Sequence, residues 1–98
     1  MGVVAEFARV PADVWPAVLP RIRAAGITIE EHGLERGLWW CTCVRGPCRV
    51  GLGYNPEDHG EELIVYCPAS RVWWRPLGMW RLLRDVRRAV LDSGGQFT

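Results

Sequence analysis

The feature that most constrains the fold of this chain is a pair of adjacent tryptophans that occurs twice, as Trp39-Trp40 and as Trp73-Trp74. Neighbouring side chains of a β-strand point to opposite faces of the sheet. If either pair lies in a strand, one indole faces the interior, and the other faces water, a second packed layer or a partner. The sequence therefore predicts an aromatic surface that the chain does not bury in its main core.

Length and composition indicate one ordinary globular domain over residues 1–98. About half of the 98 residues are apolar (49%) and 23% are charged, which is typical of a folded soluble domain. The first residues lack the basic and apolar regions of a signal peptide, and no apolar run approaches the roughly 20 residues of a membrane span. We therefore expect a cytoplasmic protein without a membrane segment. Lys is absent, and Arg takes its place throughout, which indicates either a GC-rich bacterial genome or selection for guanidiniums that bind phosphate or carboxylate.

Hydrophobic periodicity and turn residues predict two helices and five strands in the order β-α-β-β-β-β-α. The predicted strands are 3–8, 27–31, 38–44, 48–54 and 62–67, and the predicted helices are 11–25 and 77–91. Pro20 should kink or split the first helix. We expect residues 33–37 to form a turn, and the tail after Gly94-Gly95 to fray. Short turns between strands favour antiparallel pairing. The predicted fold is an α+β two-layer sandwich, in which two helices cover one face of a four- to five-stranded, mainly antiparallel sheet.

Alternation along the strands assigns each side chain to one of two faces. The hairpin turn, taken as residues 44–47, would place Cys43 opposite Cys48. The residues that this arrangement places under the helices are Trp39, Cys41, Cys43, Cys48, Val50, Leu52, Leu63, Val65 and Cys67. The residues of the open face are Trp40, Thr42, Arg49, Gly51, Gly53, Glu62, Ile64 and Tyr66. The two glycines would leave a shallow floor for a flat group.

The open face is the candidate partner-binding site. Its predicted members are Trp40, Arg49, Ile64, Tyr66, Trp73 and Trp74. Burial of an indole stabilises a fold by up to about 5 kcal/mol, so a small domain rarely leaves one uncovered. Three interpretations remain open: residues 68–76 fold back over this face, a second copy covers it, or it holds a ligand or another protein.

Four cysteines, Cys41, Cys43, Cys48 and Cys67, leave three alternatives open. Free cysteines behave as small buried hydrophobes, and reduced thiols are the rule in a cytoplasmic protein. A disulfide between Cys43 and Cys48 is the second alternative, and a metal site is the third. The spacing C-x-C on a strand differs from the C-x2-C turn typical of zinc sites. His32 and His59 fall in or beside predicted turns and are interpreted as surface residues. We expect no metal and no cofactor.

Charge is unevenly distributed along the chain. Residues 1–70 carry six Arg against nine acids, and residues 71–98 carry six Arg against two acids. Guanidiniums for phosphates and indoles for stacking are the ingredients of a nucleic-acid surface. The candidates are Arg71, Arg75, Arg81, Arg84, Arg87 and Arg88, with Trp73, Trp74 and Trp80 among them. However, the net charge of +1 is low for a nucleic-acid-binding domain, and a solvated helix face explains the same residues.

The first strand followed by 10–15, the segment VPADVW, resembles the entry of START-type helix-grip domains over about one sixth of the chain. That resemblance implies a pocket between the sheet and the last helix for a small ligand or an enzymatic reaction. Pro20 departs from the pattern, and no residue is carried over. The chain contains no nucleophile elbow, phosphate loop or zincin helix, and no catalytic residue is predicted. The leading hypothesis is a non-enzymatic binding module for a protein partner or a second copy. A helix-grip pocket and an Arg/Trp nucleic-acid surface are the alternatives.

Overall fold

The computed structural model of the chain describes residues 3–35, 37–55, 61–68 and 76–98. In chain order, the elements are β1 (Val3–Arg9), α1 (Trp15–Ala24), β2 (Thr28–Glu35), β3 (Leu38–Arg45), β4 (Cys48–Asn55), β5 (Glu62–Pro68), α2 (Pro76–Ser93) and β6 (Gln96–Phe97). The order predicted from the sequence is confirmed, with one short strand added at the end.

The strands form one open antiparallel sheet in the order β2-β3-β4-β5-β1-β6. The four strands from β2 to β5 follow one another as a meander. The first strand lies beyond β5, so the connection through α1 crosses the helical face of the sheet to reach β2 at the far edge. The six strands and two helices of the described residues give the predicted α+β class, with one strand more than expected.

Both helices cover the same face of the sheet, as predicted. They pack against each other, and α2 lies over β4. The side chains between the two layers are almost fully buried. This core contains Ala8, Val10, Val18, Ile22, Ile27, Cys41, Cys43, Cys48, Val50, Leu52, Tyr54, Leu63, Val65, Met79, Leu82, Val86, Ala89 and Val90.

Helix α1 is continuous through Pro20, so the predicted split of the helix is wrong. Proline lacks the N–H that would bond to the carbonyl four residues earlier, which here belongs to Pro16. Both prolines are exposed, so water can satisfy that carbonyl. A turn in which Val14 and Trp15 donate to the Pro11 carbonyl precedes the helix, and Gly26 follows it with a φ of 82°, as its predicted role in ending the helix requires.

Strand β2 runs through the predicted turn to Glu35, because a β-bulge absorbs an extra residue between Glu31 and Gly33. The β3–β4 register also differs from the prediction. Cys43 lies opposite Val50 instead of Cys48, because the turn contains only Gly46 and Pro47. Gly46 supplies the positive φ, 59°, that the first position of a II′ turn needs. The shift is two residues, so every side chain keeps its predicted face.

The C-terminal tail does not fray within the described residues. Gln96 and Phe97 pair with Arg9 and Ala8 of β1 as β6. The Thr98 N–H also donates to the Phe7 carbonyl at 3.1 Å. The prediction was wrong because two residues carry no strand signal of their own, and the free edge of β1 that they join is a tertiary feature.

Candidate functional site: the open sheet face and the outer face of α2

The open sheet face carries a row of apolar side chains across four strands. Trp40 lies opposite Gly53, Gly53 opposite Ile64, and Ile64 opposite Phe7. The residues that follow these along their strands, such as Cys41 and Val65, are buried under the helices. The alternation predicted for the first tryptophan pair is therefore confirmed, because Trp40 points away from the helices.

Trp39 lies on the helical side of the same strand. Its ring makes an edge contact with Trp15 at a centroid distance of 5.5 Å. Trp15 in turn stacks on Tyr54 at 4.1 Å. The two indoles of the pair thus belong to two separate aromatic clusters, one on each face of the sheet.

Trp40 and Tyr66 pack against each other directly over the two glycines of β4. Their rings meet edge to face at a centroid distance of 5.8 Å. A Cβ at Gly53 would lie 2.7 Å from Cζ3 of Trp40, and a Cβ at Gly51 would overlap the Tyr66 ring. The floor expected to accept a flat group is therefore occupied by the rings of the chain itself. Both rings remain half-buried, and burial raises the pKa of the Tyr66 hydroxyl.

Phe7 is the apolar side chain on this face that sequence reasoning missed. It is 44% exposed, and it extends the row from Ile64 toward β6. Its parity within β1, alternating with the buried Ala8, was the signal that could have found it. That signal required knowledge that β1 pairs with β5, which lies more than fifty residues away.

Polar pairs border the aromatic row on the side of β2. Arg49 Nη1 lies 3.1 Å from Oε1 of Glu30, and both side chains are close to half exposed. His32 Nε2 and Thr42 Oγ1 share a hydrogen bond of 2.7 Å. The predicted site residue Arg49 therefore borders the site with its charge balanced. Trp73 and Trp74, the other predicted members, lie outside the described residues.

The second exposed surface is the outer face of α2, which has two adjacent stripes. Trp80, Leu83, Arg87 and Leu91 recur at helical spacing along one stripe, and Arg81, Arg84 and Arg88 along the other. All of them border one shallow surface depression. Four of the predicted nucleic-acid residues, Arg81, Arg84, Arg87 and Arg88, thus come together with Trp80. Arg71 and Arg75 lie outside the described residues.

Carboxylates already balance part of this charge. Arg84 Nε lies 3.3 Å from Asp85, and Arg87 Nε lies 3.2 Å from Glu6 in an ion pair without hydrogen-bond alignment. The Arg87 guanidinium also lies over the Phe97 ring, 5.0 Å from its centroid.

Cys41, Cys43 and Cys48 are free and buried under the helices, which agrees with the buried-thiol alternative. A hydrogen bond with Cys43, together with burial, raises the pKa of the Cys41 thiol. A raised pKa favours the protonated thiol over the reactive thiolate at neutral pH. Among the residues that the structure describes, no three His, Cys, Asp or Glu side chains are grouped to hold a metal ion. His32 is exposed, whereas His59 and the side chain of Cys67 lie outside the described part.

No protein-family model matches the chain, and comparison with curated proteins finds no significant relative. None of the helices in the described part of the chain is long and apolar enough to cross a membrane.

Proposed function

We propose that this protein is a non-enzymatic binding module whose open sheet face contacts a protein surface, with a second copy of the chain as the first candidate. The observation that carries the proposal is the position of Phe7, Trp40, Ile64 and Tyr66. These four apolar side chains are neighbours on the face that the helices leave uncovered. Phe7 is 44% exposed and the other three are half-buried.

A second copy suits this face because its charges are balanced. The row of apolar side chains is bordered by the Glu30–Arg49 ion pair and by the hydrogen bond between His32 and Thr42. Two such faces can meet about a twofold axis without opposing like charges. Two sheets packed face to face bury apolar side chains of both in a layer about 10 Å thick.

The helix-grip alternative lacks a comparable observation among the described residues. The side chains that lie there between the sheet and the helices, among them Leu52, Leu63, Leu82 and Val86, are fully buried. The depression along α2 lies on the outside of the molecule, and so does a second one between the end of α1 and α2. A pocket of the helix-grip kind would need space on the inner side of α2.

Sedimentation velocity over a wide range of protein concentrations tests self-association. The wild type should shift from monomer to dimer, and Phe7→Glu should raise the dissociation constant by about tenfold or more. Ala17→Glu is the matched control, because Ala17 is exposed on α1 in the other layer. A dimer that both variants weaken equally would contradict the use of the sheet face.

A wild type that stays monomeric at millimolar concentration would exclude the second copy and leave a different protein as the partner. A photo-cross-linking amino acid at position 7, incorporated in cells of the source organism, then tests whether the sheet face contacts another protein. A discrete cross-linked species at position 7 that is missing at position 17 supports the sheet face. Identical products at both positions would refute it.

A further inference from the structure

The outer face of α2 exposes large apolar side chains to solvent. Trp80 is 63% exposed and Leu91 is 51% exposed, and Leu83 between them is half-buried against the core. The stripe from position 80 to position 91 spans about 16 Å of helix. Large exposed apolar groups that form a contiguous patch are typical of an interaction site.

The cationic stripe beside it has free guanidiniums. Arg81 and Arg88 are exposed and have no charged or hydrogen-bonding partner among residues 3–35, 37–55, 61–68 and 76–98. Arg84, between them along this stripe, is 61% exposed, and within the described part of the chain its polar contact is the one to Asp85 at 3.3 Å. A mainly apolar stripe, which includes Arg87, and a cationic stripe therefore run side by side along one helix.

We infer that the outer face of α2 docks an acidic amphipathic helix of a partner protein. Such a helix presents apolar residues at three- and four-residue spacing, which match Trp80, Leu83 and Leu91. Carboxylates along one flank of the partner helix then pair with Arg81 and Arg88, and arginine binds carboxylates with two parallel hydrogen bonds. This site lies in the layer opposite the open sheet face and does not depend on the function proposed for that face.

Charge argues against the other occupants. A second copy docked through this face would bring its own Arg81, Arg84 and Arg88 to the interface, and so would add positive charge to positive charge. Nucleic acid requires many phosphates to be neutralised, whereas Arg84 and Arg87 already pair with Asp85 and Glu6.

Fluorescence anisotropy with a designed peptide tests the inference on the full chain. The probe is a fluorescein-labelled peptide of about 18 residues, with Leu at three- and four-residue spacing and Glu elsewhere, which covers the stripe in length. A second peptide has the same composition in an order that scatters the Leu around the helix. The first peptide should bind at least tenfold more tightly, and added salt should weaken it.

Two variants test the assignment to α2. Arg81→Glu/Arg88→Glu should weaken binding of the amphipathic peptide by about tenfold or more, and Trp80→Ala/Leu91→Ala should do the same without changing the salt dependence. All four positions are exposed, so both variants should keep the wild-type circular dichroism. The control Arg9→Glu/Arg23→Glu makes the same change in net charge at exposed positions outside α2, and it should bind like the wild type.

Four results would overturn the inference. One is equal affinity for the two peptides, and another is no binding of the amphipathic peptide at millimolar concentration. Tighter, arginine-dependent binding of single-stranded oligonucleotides or of phosphatidylserine vesicles would assign the face to nucleic acid or to a membrane. A concentration-dependent dimer that Arg81→Glu/Arg88→Glu abolishes would assign it to a second copy.

Discussion

Arg45 of β3 binds Asp85 of α2, and the same guanidinium nitrogen also contacts the end of α1. Nη2 of Arg45 lies 2.7 Å from Oδ2 of Asp85 in α2, and it also donates to the Ala25 carbonyl at the end of α1 at 2.8 Å. The guanidinium thus satisfies a carbonyl that the helix end leaves free, and it pairs with a carboxylate that is only 19% exposed. This contact fixes how the two helices sit on the sheet.

Arg45→Ala should therefore lower the free energy of unfolding by about 1–2 kcal/mol, because a charged hydrogen bond and a helix cap are lost together. Arg84→Ala is the matched control, since Arg84 contacts the same carboxylate at 3.3 Å from a 61% exposed position. It should cost less than about 0.5 kcal/mol. Urea unfolding monitored by circular dichroism measures both, and equal losses would show that the link from Arg45 to Ala25 adds nothing.

The contribution of Asp85 should depend on pH. Burial alone would raise the pKa of the Asp85 carboxyl, but hydrogen bonds and charge from Arg45 and Arg84 outweigh burial and lower it. A lowered pKa contributes stability that is present above the ordinary value for Asp and is lost as the pH falls through the folded-state value. The difference in unfolding free energy between wild type and Arg45→Ala should therefore narrow below about pH 4. A difference that stays constant down to pH 2 would contradict this role.

Tyr54→Phe should destabilise the chain by about 1–2 kcal/mol, because the Tyr54 hydroxyl donates to the Val10 carbonyl at 2.6 Å inside the core. Removal of the hydroxyl leaves that carbonyl without its donor. Tyr66→Phe removes the other of the two tyrosine hydroxyls from the half-buried open face and should cost less. Urea unfolding of the two variants compares them, and equal losses would contradict the buried bond.

Burial raises the pKa of Tyr54 to about 12, with smaller contributions from the charges of Glu61 and Asp13. Stability from the neutral phenol is complete below its unfolded pKa of about 10, and it is lost as the pH rises through 12. Wild-type stability should thus decrease across this interval more steeply than that of Tyr54→Phe. Absorbance of tyrosinate at increasing pH checks the pKa directly, and a step near pH 10 from Tyr54 in the folded chain would contradict it.

The sequence predicted the faces of the sheet better than the pairing of its strands. Parity along β3 and β4 placed Cys41 and Trp40 on opposite faces, because side-chain alternation is local and survives a register shift of two residues. The register depends on the length of the turn between β3 and β4. The sequence is compatible both with a four-residue turn over 44–47 and with a two-residue turn of Gly46 and Pro47. The position of β1 beside β5 follows from no local pattern, and therefore Phe7 was missed.

For the outer face of α2, the sequence predicts which residues are exposed but not which residues they pair with. The two stripes can be read from the sequence, since the periodicity of α2 separates the buried Leu82 and Val86 from Arg84 and Arg88. The partner of each arginine is not visible. Arg87 pairs with Glu6 of β1, and Asp85 pairs with Arg45 of β3. Both ion pairs depend on how the sheet brings distant strands beneath α2, which no local pattern shows.

The buried thiols should resist modification in the folded protein. Cys41, Cys43 and Cys48 are each at most 5% exposed, and the raised pKa of Cys41 keeps its thiol protonated. Titration with a chromogenic disulfide reagent at neutral pH should modify no more than one of the four thiols before unfolding, and all four in concentrated guanidinium chloride. Rapid modification of two or more thiols in the folded state would show that the layer over β3 and β4 opens readily.

The contact between Trp40 and Gly53 should appear as a coupling energy in a double-mutant cycle. A Cβ at position 53 would lie 2.7 Å from the Trp40 ring, so Gly53→Ala should displace the indole and cost about 1–3 kcal/mol. The backbone at Gly53 is outside the left-handed region, so the new methyl group causes no backbone strain of its own. In a Trp40→Ala background, the same substitution should therefore change the unfolding free energy by less than about 0.5 kcal/mol. Circular dichroism is the suitable probe, because Trp40→Ala alters the fluorescence signal. A cost of Gly53→Ala that is the same in both backgrounds would mean that the indole does not rest on the glycine, and that the aromatic row is free to rearrange around a partner.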